Sequence, residues 1–461
     1  MPVLAAYMVP HPPMIIPQIG KGGEKQIRET VQAYRQVAEE IAAIHPETII
    51  VSSPHSVLYA DYFHISPGRE ATGDFGRFGA PQVSFRERYD TELVREICAV
   101  ASARDFPAGT RGERDKRLDH GTMVPLWFVE EKYRDFSLIR IGLSGLSLAE
   151  HYAFGQMIRE AVDKTGRRVV YIASGDLSHK LQEYGPYGFA EEGPEYDRRI
   201  MDVCSRGAFG ELLDFDESFC DKAAECGHRS FIMMAGALDG LSVQARQLSH
   251  EDVTGVGYGV CAFHPQAETS GRHFLDQWRA RQAEALRQRR EKEDCFVRLA
   301  RETIDRYVSG HEWNRIPEWA APEMKSRRAG VFVSIHEDGR LRGCIGTILP
   351  VRSCIAEEII HNAVSAAVHD PRFDPIRPDE LDRLEINVDV LSEPERIESK
   401  ADLDVKRYGV IVSSGPKRGL LLPDLDGVDT VDEQVAIAMK KGGISSRDRI
   451  TLERFEVIRH V

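Results

Sequence analysis

Four histidines in the first half of the chain, His11, His55, His120 and His179, each sit beside an apolar, strand-like run, in AAYMVPHPP, IIVSSPHS, LDHGTMVPL and VVYIASGDLSHK. Four imidazoles converging on one cleft point to a metal. Non-haem iron sites that activate oxygen take two imidazoles and one carboxylate on one face of Fe(II) and leave the remaining positions open. His11 and His55, at the ends of strands expected to be neighbours, supply the two imidazoles. The carboxylate must come from elsewhere in the chain.

Elements that hold these residues in place are legible around them. Three of the four runs read as buried parallel strands, and the carboxyl ends of such strands are where an open α/β sheet builds its site. Strands are expected over residues 3–9, 48–51, 137–143 and 169–173. A helix over 24–44 carries Ile27, Val31, Tyr34, Val37 and Ile41 at helical spacing, and a second helix covers 150–162. This is a βαβ rhythm with right-handed crossovers. The stretches 61–86 and 183–194 read as the loops that shape the pocket.

Around residues 267–293 the text turns to SGRHFLDQWRARQAEALRQRREKED, where alternating charges suit a solvent-facing helix joining two domains. Beyond it, a helix over 295–308 and strands over 329–335, 385–391 and 409–413 mix without regular alternation, the mark of an α+β unit. The expected organisation is therefore a domain over 1–268, a charged linker helix over 269–292 and a second domain over 293–461.

At 461 residues the chain is long enough for two ordinary cores. A net charge of −13 and a pI near 5.7 exclude the basic face that nucleic acid or an anionic membrane needs. Eight cysteines at no repeating spacing form neither a disulfide framework nor a structural zinc site. The opening MPVLAAYMVPHPP lacks a basic leader region, and no apolar run reaches the ~18 residues of a membrane span. A cytoplasmic protein is expected.

Across residues 3–264 the chain resembles the class III extradiol dioxygenases related to the beta subunit of protocatechuate 4,5-dioxygenase. The resemblance lies in HPP at His11, SPHS at His55, LDHGTMVPL at His120, SGDLSH at His179, and ECGHRSF followed by AGALDG from Glu225 to Gly240. It implies an α/β fold with a mostly parallel sheet flanked by helices, and Fe(II), or another divalent metal, as cofactor. By the same resemblance His11, His55 and Glu225 are the metal ligands, His179 is the acid/base residue and His120 stands beside the oxygen position. The substrates implied are a catechol-type aromatic diol and O2. A metal lowers the pKa of bound hydroxyls, and an imidazole such as His179 titrates in the range needed to take and return a phenolic proton.

Asp176 either orients His179 or caps the turn after Gly175. Tyr184 and Tyr187 follow in the next loop. Glu225 is preferred as third ligand, yet Cys226 adjoins it, and the related Memo proteins carry a cysteine near this point. A thiolate would favour a softer or redox-active metal. The alternative reading is a Memo-like metal-binding or redox protein without ring cleavage, working with a partner such as a radical-SAM enzyme. His228 is expected at a helix start or substrate mouth. His45, His64, His151 and His264 read as structural.

From residue 295 onward the chain resembles an AMMECR-type domain, on LRGCIG (341–346), HDPRFDPI (369–376), LEINVDVLS (384–392) and RGLLLP (418–423). No activity follows from that resemblance, and a binding or docking role is expected. Arg342, Cys344 and His369 are candidates to line a pocket, with Gly343 and Gly346 admitting a ligand close to backbone. A homodimer is the expected assembly.

Overall fold

Strand β1 (Val3–Val9) is apolar because both its faces are buried. Alternate side chains feed opposite layers. Ala5, Tyr7 and Val9 pack with Val37, Ile41 and Phe128 on one side, while Ala6 and Met8 pack with Phe154, Ile158 and Phe231 on the other. The computed structural model describes residues 3–113, 116–311, 315–425 and 427–461. It divides into two units, 1–280 and 281–461.

In the first unit β1 joins β2 (Thr48–Ser53), β3 (Ser137–Gly142), β4 (Val169–Ser174), β5 (Leu241–Glu251) and β6 (Tyr258–Glu268) in one sheet of order β3-β2-β4-β1-β6-β5. The first four run parallel and the last two add antiparallel at one edge. Helices α1 (Arg28–Ile44), α2 (His120–Glu130), α3 (Leu148–Thr165) and α4 (His228–Ala237) cover its faces. The expected mostly parallel sheet flanked by helices is present.

Three expectations need correction. Strands β1 and β2 are not neighbours, because β4, more than a hundred residues later, is inserted between them. The run after His120 is a helix rather than a strand. Asp119 caps it by accepting the Thr122 N–H at 3.0 Å, and the helix is apolar nearly all round because it is buried. The stretch read as a loop over 61–86 holds most of an antiparallel hairpin, Glu70–Phe75 with Ala80–Arg88.

Helix α5 (Phe274–Arg290) carries the charged segment, and the division between the units falls within it. The second unit is α+β. Strands β7 (Val331–Glu337), β8 (Arg340–Gly346), β9 (Leu384–Leu391), β10 (Glu395–Ile397), β11 (Tyr408–Ser414), β12 (Lys417–Leu421) and β13 (Thr451–His460) form an antiparallel sheet. Its order is β8-β7-β9-β13-β11-β12, with β10 paired to β13. Helices α6 (Cys295–Val308) and α7 (Ile355–Val368) pack on the β7 end. All eight cysteines are free thiols. Among the described residues no helix is long and apolar enough to cross a membrane.

Candidate metal centre

Register in the parallel sheet places the site. Val9 aligns with Ser174, and Ser52 with Ala173, so β1, β2 and β4 end at one level. Two residues beyond those ends stand His11, His55 and Asp176. The inserted β4 therefore brings Asp176 and His179 to the same end of the sheet as the two histidines. The Nε2 atoms of His11 and His55 lie 3.0 Å apart.

The fourth contribution comes from the turn before α4. A Cβ on Gly175 would stand 2.1 Å from the Gly227 Cα, so two backbones cross there in direct contact. That crossing brings Cys226 against the site. Its Sγ is 3.6 Å from His11 Nε2 and accepts the Asp176 N–H at 3.3 Å. The ligand atoms of His11, His55 and Cys226 all lie within 4.8 Å of one another, as do those of Asp176, His179 and Cys226. A cation fits a donor set converging this tightly, with nitrogen and sulfur suited to a transition metal.

Glu225, which the sequence resemblance names as third ligand, points elsewhere. Its carboxylate accepts the His228 N–H at 2.6 Å, at the first residue of α4, where orphan amides attract negative charge. Burial raises its pKa to about 7 against that bond. His228 is fully occupied as well. Its Nε2 donates to the Leu212 carbonyl at 3.0 Å, so Nδ1 is left to accept from Tyr196 Oη at 3.2 Å.

His120 opens α2; its ring lies 4.0 Å from that of His55 and 5.3 Å from that of Phe78 at the hairpin tip. His179 stacks on Tyr187 at 5.0 Å. Asp176 does not hydrogen-bond His179, the closest approach being 4.0 Å. It accepts the His11 backbone N–H at 2.7 Å instead. Tyr184 is 80% exposed and touches none of these groups through a ring contact or hydrogen bond.

Burial dominates the electrostatics. It holds His11 well below the ordinary histidine value, with His55 adding to the effect, and lowers His120 to about 3. His55 and His179 are also lowered by burial. Asp176 is raised to about 6, and the Cys226 thiol well upward, for the same reason. Neutral imidazoles with bare nitrogens are the form that takes up a cation.

Three supporting residues escaped the sequence reading. Ser174, the last residue of β4, lies 3.0 Å from His11 Nδ1. Asp119 accepts Ser53 Oγ at 2.6 Å, and Ser53 Oγ accepts the His55 N–H at 3.2 Å, which ties the cap of α2 to the His55 loop. The aspartate directly before an apolar run was the available signal for Asp119.

In the second unit the LRGCIG motif lies on β8 and the HDPRFDPI motif runs along that strand's outer edge. Asp370 accepts the Cys344 N–H at 2.9 Å, Arg372 donates to the Cys344 carbonyl at 3.2 Å, and Arg342 pairs with Glu380 at 2.8 Å. A Cβ on Gly343 would meet the Ala366 carbonyl at 2.2 Å, so this glycine admits helix α7 rather than a ligand. His369 is the C-cap residue of α7.

Residues 5–261 match the family model described as the catalytic LigB subunit of aromatic ring-opening dioxygenase, and residues 297–460 match the AMMECR1 model. A protein of Clostridium acetobutylicum is 40% identical over 463 residues, covering 98% of each chain. A Thermotoga maritima protein is 48% identical over 171 residues, 36% of this chain and 98% of that one. The crystal structure of an uncharacterized Pyrococcus horikoshii protein is similar at 33% identity and a TM-score of 0.33, covering 36% of this chain and 88% of that one. The LigB model spans more than half of the chain, so the chain belongs to the LigB family and carries an AMMECR1 domain after the LigB domain.

Proposed function

We propose that the first unit is a transition-metal centre of the two-histidine, one-cysteine type, built on a ring-opening dioxygenase scaffold and serving redox chemistry. The observation that carries this is the convergence of His11 Nε2, His55 Nε2 and Cys226 Sγ, with Glu225 turned to the start of α4. A thiol among the donors favours a softer or redox-active metal over the hard Fe(II) site that a carboxylate would complete. When bound, such a metal supplies Lewis-acid polarisation and electron transfer.

The chain's own residues supply the rest. His11, His55 and Cys226 hold the metal. His179, neutral and at the mouth, accepts a proton at Nε2, and Asp176 4.0 Å away steadies the resulting charge. The His120 ring covers His55 and is itself backed by Phe78, which limits water there. In this reading the AMMECR1 domain docks a partner, for which a radical-SAM enzyme is one proposal.

A second reading, Fe(II)-dependent extradiol cleavage of a catechol, is supported by the LigB match and by the Asp176 and His179 pair beside the histidines. One experiment separates the two. Anaerobic titration with Co(II) should give a thiolate-to-metal absorption band that Cys226→Ser abolishes and Glu225→Gln keeps. Loss of metal in Glu225→Gln, with Cys226→Ser unaffected, would move the assignment to the carboxylate. Oxygen uptake by the Fe(II)-loaded protein against a panel of catechols, with a yellow ring-opened product, would establish the second reading.

A further inference from the structure

Helix α2 contains a proline in its second turn, Pro125. Having no N–H, Pro125 leaves the Gly121 carbonyl four residues earlier without its helical donor, and the proline ring pushes that carbonyl aside. Ser174 Oγ donates to this carbonyl at 2.6 Å. Gly121 and Ser174 are both buried, and a buried carbonyl left unpaired costs about 1–3 kcal/mol, so the hydroxyl proton is committed there.

The same Ser174 oxygen stands 3.0 Å from His11 Nδ1. A hydroxyl has one proton. With that proton on Gly121, Ser174 can only accept, and the hydrogen of the second bond must sit on His11 Nδ1. A neutral imidazole carries one N–H, so Nε2 is bare, and Nε2 is the atom facing His55 and Cys226. Gly121 permits the approach, since a Cβ there would lie 2.3 Å from Ser53 Oγ and 3.4 Å from His11 Nδ1.

We infer that Ser174 is a positioning residue that holds His11 as its Nδ1–H tautomer, and that Pro125 commits the serine proton away from the histidine. The consequence for metal uptake rests on the proposed role of His11 as a ligand; the tautomer does not. A proline in a helix of the fold thus selects which nitrogen of a histidine on the neighbouring loop is free to bind.

The test uses the full chain, metal-free and labelled with 15N-histidine, with the His11 tautomer read from two-bond proton–nitrogen correlations and Co(II) affinity measured in parallel. Wild type should show Nδ1–H. Ser174→Ala should lose the single tautomer and bind Co(II) about 10–100-fold more weakly, the range for outer partners of metal-binding histidines. Ser174→Thr, which keeps the hydroxyl, should restore both. Pro125→Ala gives Gly121 a backbone donor, releases the serine proton and should mix the tautomers with Ser174 still present.

An Nε2–H tautomer in wild type, or a Ser174→Ala variant that keeps both tautomer and affinity, overturns the inference. A Pro125→Ala variant identical to wild type overturns the role given to Pro125. Nδ1–H in a wild type that takes up no Co(II) upholds the inference and sinks the metal reading instead.

Discussion

The ends of the parallel strands in the first unit and the outer edge of β8 in the second are both lined with charged and polar side chains, yet they treat them in opposite ways. At the strand ends, the ring nitrogens of His11 and His55 and the Cys226 sulfur gather at 3.0 and 3.6 Å from one another, and burial keeps the imidazoles neutral. Along β8 three charged motif residues are turned to partners of opposite character: Arg342 to Glu380, Arg372 to Asp370, Asp370 to the Cys344 N–H. Metal-ligand atoms gathered this closely mark a site that a cation can fill. Groups that already satisfy one another mark an edge strand sealed against pairing with another chain.

This contrast breaks most sharply at the histidines. Replacing His11 or His55 by Ala should remove essentially all bound metal, measured by elemental analysis of the purified full-length chain, while its circular dichroism stays native. Full retention of metal in both variants would place the centre elsewhere and erase the difference between the two regions.

The strand ends were legible in the sequence because His11, His55 and Asp176 each follow an apolar run within four residues, and such runs are strands. The order of strands was not, since adjacency of β2 and β4 depends on a crossover that no local pattern records. The choice between Glu225 and Cys226 was equally hidden. It turns on the contact of Gly175 with Gly227, residues far apart in sequence. Ser174 escaped because its role depends on Pro125, and the run holding Pro125 is apolar at almost every position, which leaves its period unreadable. The AMMECR-type motifs were recognisable as text, but only their pairing along one edge tells what the residues do.

On the other side of the comparison, Arg342→Ala should leave metal uptake untouched and lower stability. The pair it forms with Glu380 is largely withdrawn from water, with side-chain exposures of 17% and 7%, so removing the arginine leaves a buried carboxylate with the Arg377 N–H at 2.8 Å and the exposed Arg377 guanidinium at 3.7 Å in place of its ion-pair partner. Breaking such a pair costs about 3 kcal/mol. Denaturant unfolding of the full chain, followed by a probe in the second unit, should register that loss. A change below ~0.5 kcal/mol, the range of an ordinary surface substitution, would show that the edge is not held by this pair.

The smallest effect sharpens the same point through pH. The Arg372 guanidinium, helped by the N–H groups of Cys344 and Arg372, holds the Asp370 carboxyl well below the usual carboxylate range. A carboxylate whose pKa is depressed on folding stabilises the fold above its unfolded value of about 3.9 and loses that contribution as pH falls further. Arg372 is half exposed, so solvent screens its share, and the carboxylate should be worth about 1 kcal/mol. Asp370→Asn should therefore be less stable than wild type by that amount at pH 7. The gap between the two should begin to close as pH drops below about 4, where the aspartate of the unfolded chain takes up its proton, and should vanish once the folded carboxylate is protonated as well. A gap that persisted unchanged to pH 3 would mean that Asp370 acts by shape rather than charge, and the sealed edge of β8 would then owe its stability to packing alone.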